Sequence, residues 1–117
     1  MVLVLFEVTV KEEGVEAYLA LAASLKKELE CADGFIRSER FKSLVNEGKI
    51  LSLSVWESEE AVEKWRNFAQ HRMSQRQGHD SLFESYTLTV ASAIRSYTLT
   101  DREEAPEDSE DFFAKPD

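Results

Sequence analysis

The chain has 117 residues, which is the size of one compact domain, so a multidomain enzyme is not expected. Hydrophobic residues make up 43% and charged residues 32%, which is typical of a domain with an apolar core rather than a membrane protein. No apolar run approaches the roughly 20 residues of a spanning helix, and the start lacks the basic flank of a signal peptide. We therefore expect a cytoplasmic protein without a membrane partner. The single cysteine, Cys31, cannot form an intrachain disulfide, which agrees with a reducing compartment.

The net charge of -9 is unevenly distributed along the chain. Residues 100–117 contain eight acidic and two basic residues, together with both prolines and no apolar periodicity. We therefore divide the chain into a domain at residues 1–99 and an acidic C-terminal tail at residues 100–117, which is either mobile or docked through Phe112 and Phe113. The domain shows no basic stripe with interleaved aromatic residues, so we expect no nucleic-acid partner.

The first half of the chain shows one helical and three strand-like patterns. Alternation predicts a strand over Val2–Val10, and apolar residues spaced by three or four after Gly14 predict an amphipathic helix to about Cys31. Alternation resumes over Phe35–Lys42 and again over Lys49–Trp56. The Asn-Glu-Gly sequence between these two segments is typical of a hairpin turn, so the two strands should be antiparallel.

The second half predicts one helix and one strand. Ser58 is a good N-cap, and Glu59 and Glu60 suit the first turn of a helix that should run as far as Gly78. Residues 82–99 are rich in β-forming side chains. The chain order is thus β-α-β-β-α-β, which predicts an α+β, ferredoxin-like fold with both helices on one face of a four-stranded antiparallel sheet.

The other face of this sheet would be left without a covering layer. Besides the charged Glu7, Arg40 and Lys42, alternation assigns to it mostly small or apolar side chains: Leu3, Leu5, Ile36, Ser38, Ser52, Ser54, Thr87, Thr89 and Ala91. A solvated face would carry more charge. We therefore predict a homodimer in which this open face packs on the same face of a second copy, the alternative being a neutral, exposed face.

Residues 56–86 concentrate the side chains suited to binding and chemistry. Trp65 is suited to the wall of a pocket between helix and sheet, although plain core packing is the alternative. Histidine is the side-chain type whose usual pKa lies near neutrality, so His71 is the natural proton acceptor, the alternative being a surface or capping histidine. Gln75, one helical turn later, is placed to donate to the same ligand. No phosphate loop or Cys/His cluster is present, and His71 and His79 lack a third ligand, so we expect no cofactor and no metal.

The pattern W-E-S-E-E-A-x-x-x-W-R, followed by H-R-x-x-Q-R-x-G and F-E-S-Y, resembles the antibiotic biosynthesis monooxygenase family. The resemblance covers roughly residues 2–97 and implies a dimeric α+β barrel with one pocket per subunit. It also implies oxidation of a small phenolic or quinol-type aromatic substrate by dioxygen without a prosthetic group. In that reaction His71 would act as the base, Arg72 as the positive partner of the substrate anion, Gln75 as an orienting donor and Trp65 as the pocket wall.

Two alternatives stay open. Some relatives in this family degrade haem, so the chain could be a haem-binding protein. However, the position that resembles their histidine holds Gln75, and the first strand contains no asparagine. The chain could also be a noncatalytic dimer that binds a small molecule. Dioxygen uptake with a quinol and a Soret band with haemin would distinguish the three functions.

Overall fold

The computed structural model describes the backbone of residues 1–75 and 83–108, and the side chains of residues 1–69 and 83–108. Apart from a short 3-10 turn at Glu12–Gly14, the elements in chain order are β1 (Val2–Val10), α1 (Val15–Glu30), β2 (Phe35–Lys42), β3 (Lys49–Trp56), α2 (Glu59–Gln75) and β4 (Phe83–Ser92). The strand order is β2-β3-β1-β4, and all neighbouring strands are antiparallel. The predicted ferredoxin-like α+β fold is confirmed.

The element boundaries follow local chemistry at most positions. The Oγ atom of Ser58 accepts a hydrogen bond from the amide of Ala61 at 3.2 Å, as expected of an N-cap. The predicted continuation of α2 towards Gly78 lies outside the described residues. Strand β4 ends at Ser92, although β-forming residues continue to position 99. The amide of Ala93 donates to the carbonyl of Met1, after which β1 offers no further partner, so the strand prediction was too long.

Both helices cover the same face of the sheet, which we call the helix side. Two clusters form the core there. The first joins α1 to the hairpin end of the sheet through Val8, Val10, Tyr18 and Ile50. The second joins α2 to the other end through Trp56, Ala61 and Val62.

Strand register corrects the predicted membership of the open face. Ser52 pairs with Phe6 and Ser54 with Val4, and directly paired residues of antiparallel strands point to the same side. Both serines therefore lie on the helix side, together with the β2 residues that pair with Ser54, Ser52 and Ile50: Ser38, Arg40 and Lys42. The prediction failed because β3 is apolar at Leu51, Leu53 and Val55, so its alternation does not reveal which side is covered.

The open face is more apolar than predicted. As expected, it includes Leu3, Leu5, Glu7, Thr87, Thr89 and Ala91. The register adds the apolar Phe41, Leu51, Leu53 and Val55, and it also adds the charged Arg37 and Glu39 of β2. One ion pair lies among them, with 3.3 Å between Lys49 Nζ and Glu7 Oε1. In the described part of the chain neither helix is long and apolar enough to cross a membrane, and the cytoplasmic location stays a prediction.

Candidate functional site

The first turn of α2 is anchored to the loop that precedes β2. Gly34 has a φ angle of 78°, and its carbonyl accepts a hydrogen bond from the amide of Glu57 at 2.8 Å. A Cβ atom at Gly34 would lie 2.6 Å from Cβ of Ala61, so only glycine permits this approach. Ala61 and Val62 are buried beside it. The start of α2 is therefore fixed relative to the sheet.

An aromatic stack continues from this anchor along α2. Trp56 is 0% exposed and meets Phe35 edge to face, with 5.4 Å between ring centroids. On its other side lies Trp65, with a centroid distance of 6.2 Å and an interplanar angle of 33°. Phe68 follows at 5.4 Å from Trp65. The stack links the buried end of β3 to the exposed middle of α2, because Phe68 is more than one-third exposed.

The helix side of β4 carries exposed apolar side chains. Three apolar side chains of β4 point to the helix side yet remain exposed: Tyr86 at 62%, Leu88 at 49% and Val90 at 45%. They pair with Val8, Phe6 and Val4 of β1, respectively. We take the helix-side surface of Val4, Phe6, Leu88 and Val90 on the sheet, together with Trp65 and Phe68 of α2, as the candidate site and call it the cleft. Its lining is apolar and aromatic, as is typical of small-molecule sites.

A second aromatic group closes the hairpin end of the cleft. Phe6 lies 5.9 Å from Phe83 and 5.4 Å from Tyr86, measured between ring centroids. Tyr18 of α1 meets Phe83 edge to face at 5.7 Å. Burial raises the pKa of Tyr18 above its usual value of 10.0, and nearby Arg40 opposes this rise without cancelling it. Tyr18 therefore stays neutral at physiological pH.

The structure brings one predicted site residue into the cleft. Trp65 is half-buried and packs between Trp56 and Phe68, and its role as the wall of a pocket stays a prediction. Positions 71, 72 and 75 lie on α2, in the half that follows Phe68. The side chains of His71, Arg72 and Gln75 lie outside the described residues, so their assigned roles stay predictions. Among the described residues, no group of three His, Cys, Asp or Glu side chains is arranged to hold a metal ion.

Sequence analysis missed the sheet residues of the site. Val4 and Phe6 were predicted only as members of the strand Val2–Val10, and Leu88 and Val90 only as part of the β-forming residues 82–99. Ser54 was placed on the wrong face, although it lies beside Val4 on the helix side. The alternation of β1 indicated which residues share a face, but only the pairing of β1 with β3 and β4 shows which of their residues meet in the cleft.

Relatives with this arrangement exist in both sequence and structure. A protein of Pyricularia oryzae named jasmonate monooxygenase ABM is 42% identical over 96 residues, covering 82% of this chain and 45% of that protein. The chain therefore spans about half the length of this relative. The structure of Rv0793 from Mycobacterium tuberculosis superposes with a TM-score of 0.70 at 17% identity, covering 83% of this chain and 98% of that one.

A further solved structure shares the fold. A variant of MhuD, crystallised with two manganese protoporphyrin IX molecules per active site, has a TM-score of 0.65 and 17% identity, covering 84% of this chain and 99% of that one. At this identity the likeness concerns the fold alone. The family model described as antibiotic biosynthesis monooxygenase matches residues 1–77, which includes β1, the Gly34 anchor and the aromatic stack. Since this match covers more than half of the chain, the protein belongs to the antibiotic biosynthesis monooxygenase family.

Proposed function

We propose that the protein is a monooxygenase that binds a small aromatic substrate in the cleft and oxidises it with dioxygen. The observation that carries this proposal is the uncovered apolar stretch of β4, where Leu88 and Val90 lie on the side that α2 should cover. A flat apolar molecule would bury these side chains against Trp65 and Phe68, and such burial contributes about 25 cal/mol per Å². Membership of a monooxygenase family gives this binding site its proposed chemistry.

The proposed reaction uses the substrate as its own electron source. Removal of a proton from a phenol or quinol raises the electron density of the ring, and the resulting anion reduces dioxygen. One oxygen atom enters the product and the other leaves as water, so an activated CH2 group becomes a carbonyl. His71 would take the proton, Arg72 would balance the negative charge of the anion and Gln75 would orient it. The apolar cleft would exclude bulk water.

Jasmonate is a second candidate substrate. It is favoured by the 42% identical relative, whose name states jasmonate monooxygenase activity. The match covers only 45% of that relative, so we propose jasmonate as a substrate of this protein and do not transfer the relative's activity to it directly. Jasmonate is small and largely apolar and offers oxygen atoms for hydrogen bonds, which suits the same cleft. It is not a phenol, so insertion of one oxygen atom into one of its C–H bonds also needs a two-electron reductant, which is added in the assay with jasmonate.

The test measures dioxygen consumption by the purified protein with a panel of hydroquinones and with jasmonate, while product mass is followed with 18O-labelled dioxygen. We expect uptake in the absence of added metal or haem, with one labelled atom in the product. The variant His71→Ala should lose this activity, whereas the matched control His79→Ala should retain it. The variant Trp65→Phe should also lose most of the activity, because it removes part of the cleft wall.

Two outcomes would replace this proposal. A saturable Soret band on titration with haemin, weakened in His71→Ala, would favour the haem-binding alternative. Absence of both uptake and haem binding, together with retained affinity for an aromatic ligand, would favour a noncatalytic binding protein. In either case the monooxygenase proposal would be abandoned.

We also propose that the protein forms a homodimer through the open face. Leu3 and Leu5 pair with Val55 and Leu53 across β1 and β3, which gives an apolar centre to a face without a covering layer of helices. A concavity of about 270 Å³ lies at the hairpin end of this face, lined by Glu7, Phe41, Lys42, Ser43, Lys49 and Leu51. A second copy is the simplest cover, since two identical sheet faces pack with two-fold symmetry.

A further inference from the structure

Ser54 occupies a distinctive place on the helix side. It is half-buried, pairs with Val4 of β1 and lies next to Ser38 of β2. Val4 in turn pairs with Val90, so Ser54 borders the apolar floor of the cleft. A hydroxyl group at such a position can bind either water or a polar atom of a ligand.

The indole of Trp56 fixes the oxygen atom of Ser54. Trp56 Nε1 donates a hydrogen bond to Ser54 Oγ at 2.8 Å. The indole ring is fully buried and is held between Phe35 and Trp65, so it cannot follow a rotation of the serine side chain. The indole N–H is only a donor, so it occupies a lone pair of the serine oxygen and leaves the hydroxyl proton free.

This free proton has no acceptor in the described part of the chain. Within residues 1–69 and 83–108, the Ser54 hydroxyl takes part only in the Trp56 bond, as its acceptor. The Ser54 hydroxyl group is therefore held in place by Trp56 and can still donate its proton to a hydrogen bond. A donor held in advance by buried groups needs little reorganisation when it binds an oxygen atom.

We propose that Ser54 is the residue that hydrogen-bonds the oxygen atom of the ligand in the cleft, and that Trp56 positions it. This inference rests on the proposed function and narrows its substrate class to a flat apolar molecule that carries an oxygen acceptor at one edge. Among such ligands, a phenolate would gain the most binding affinity from Ser54, because hydrogen bonds to charged oxygen atoms are about twice as strong as those to neutral ones. Ser54 would then favour the anionic form of the substrate.

The test compares the binding of 1-naphthol and naphthalene, two molecules that differ by a single oxygen atom, by equilibrium dialysis without turnover. We expect the protein to prefer 1-naphthol. The variant Ser54→Ala should lower the affinity for 1-naphthol roughly three- to tenfold and leave the affinity for naphthalene unchanged. Ser54→Thr keeps a hydroxyl group and should restore the preference. Ser52→Ala, which removes the neighbouring serine on the same side, is the matched control and should behave as the unaltered protein.

The proposal is overturned if the unaltered protein shows no preference for 1-naphthol, or if Ser54→Ala weakens both ligands equally. Equal weakening would mean that Ser54 acts only by holding Trp56 in the fold. If Ser54→Ala does not fold, Ser54→Cys replaces it, because a thiol is a weak donor of similar shape. The dialysis needs no dioxygen, so its failure and a failure of the monooxygenase proposal are separate results.

Discussion

A Cβ atom at Gly34 would lie 2.6 Å from Cβ of Ala61, so the backbone of the loop before β2 packs directly against the Ala61 side chain in the first turn of α2. Gly34 also has a φ angle of 78°, in the left-handed region that disfavours side chains. The contact fixes where α2 starts relative to β2 and β3, and Trp65 lies on the same helix. The position of the cleft wall thus depends on a residue outside the cleft.

Replacement of Gly34 by alanine should therefore be strongly destabilising. We expect Gly34→Ala to lower the free energy of unfolding by about 3 kcal/mol, since the backbone strain and the clash with Ala61 act together. Gly48→Ala is the matched control. Gly48 has a φ angle of 82°, but a Cβ atom there would approach only the carbonyl of Val10, at 3.7 Å. We expect Gly48→Ala to lower the free energy of unfolding by only about 1 kcal/mol. Urea unfolding of both variants measures the difference, and equal losses would contradict a role for the Ala61 contact.

The two faces of the sheet should respond differently to a charge. Leu88 lies on the helix side and Leu53 on the open face. We expect Leu53→Lys to convert the dimer into a monomer while 1-naphthol still binds, because charged side chains would meet at the apolar interface. Leu88→Lys should abolish 1-naphthol binding and leave the dimer intact. Light scattering measures the molecular mass of each variant in solution, and equilibrium dialysis measures its affinity for 1-naphthol. A dimeric Leu53→Lys protein would contradict the proposed interface.

Tyr18 should make stability fall in alkaline solution. Burial raises the pKa of Tyr18 in the folded protein above 10.0, so the neutral form is favoured by folding. This contribution is fully present below pH 10, where the unfolded tyrosine is still protonated, and is lost as the pH rises towards the pKa of the folded protein. Tyr18→Phe should show a smaller alkaline decrease in unfolding free energy than the unaltered protein. Tyr97→Phe removes a tyrosine outside the core clusters and serves as the control. Parallel curves for the unaltered protein and Tyr18→Phe would contradict this role of Tyr18.

The C-terminal tail should contribute little to the stability of the domain. Its hydrogen bonds and ring contact near Tyr97 are local: Glu104 accepts from the amide of Ser96 at 2.8 Å, and the Arg102 guanidinium donates to the carbonyl of Thr98 at 3.0 Å and stacks over Tyr97. Removal of residues 100–117 breaks these contacts but leaves the core clusters complete. We expect a loss of less than about 1 kcal/mol in urea unfolding, as for surface changes in general. A larger loss would favour the docked tail that the sequence left as an alternative.

Much of the fold was predictable because it depends on short-range chemistry. The strands Phe35–Lys42 and Lys49–Trp56 lie where alternation placed them, and α2 starts after the Ser58 cap. The spacing of Trp65 along the helix and its size also singled it out, and its role as a pocket wall stays a prediction. The sheet residues of the cleft were not identified from the sequence. They are ordinary apolar residues, and only their exposure in the folded protein distinguishes them from core residues.

The sequence by itself determined the order of the elements, the helix cap and the family to which the chain belongs, all of which are encoded in local spacing and residue type. Only the tertiary structure decided that Ser54 faces the helices, that β4 ends at Ser92 and that Leu88 remains exposed on the helix side. The physical reason is that alternation shows which residues share a side of a strand, whereas the side that is covered depends on the register of the neighbouring strands. A strand likewise ends where its partner ends, and this is a property of the assembled sheet.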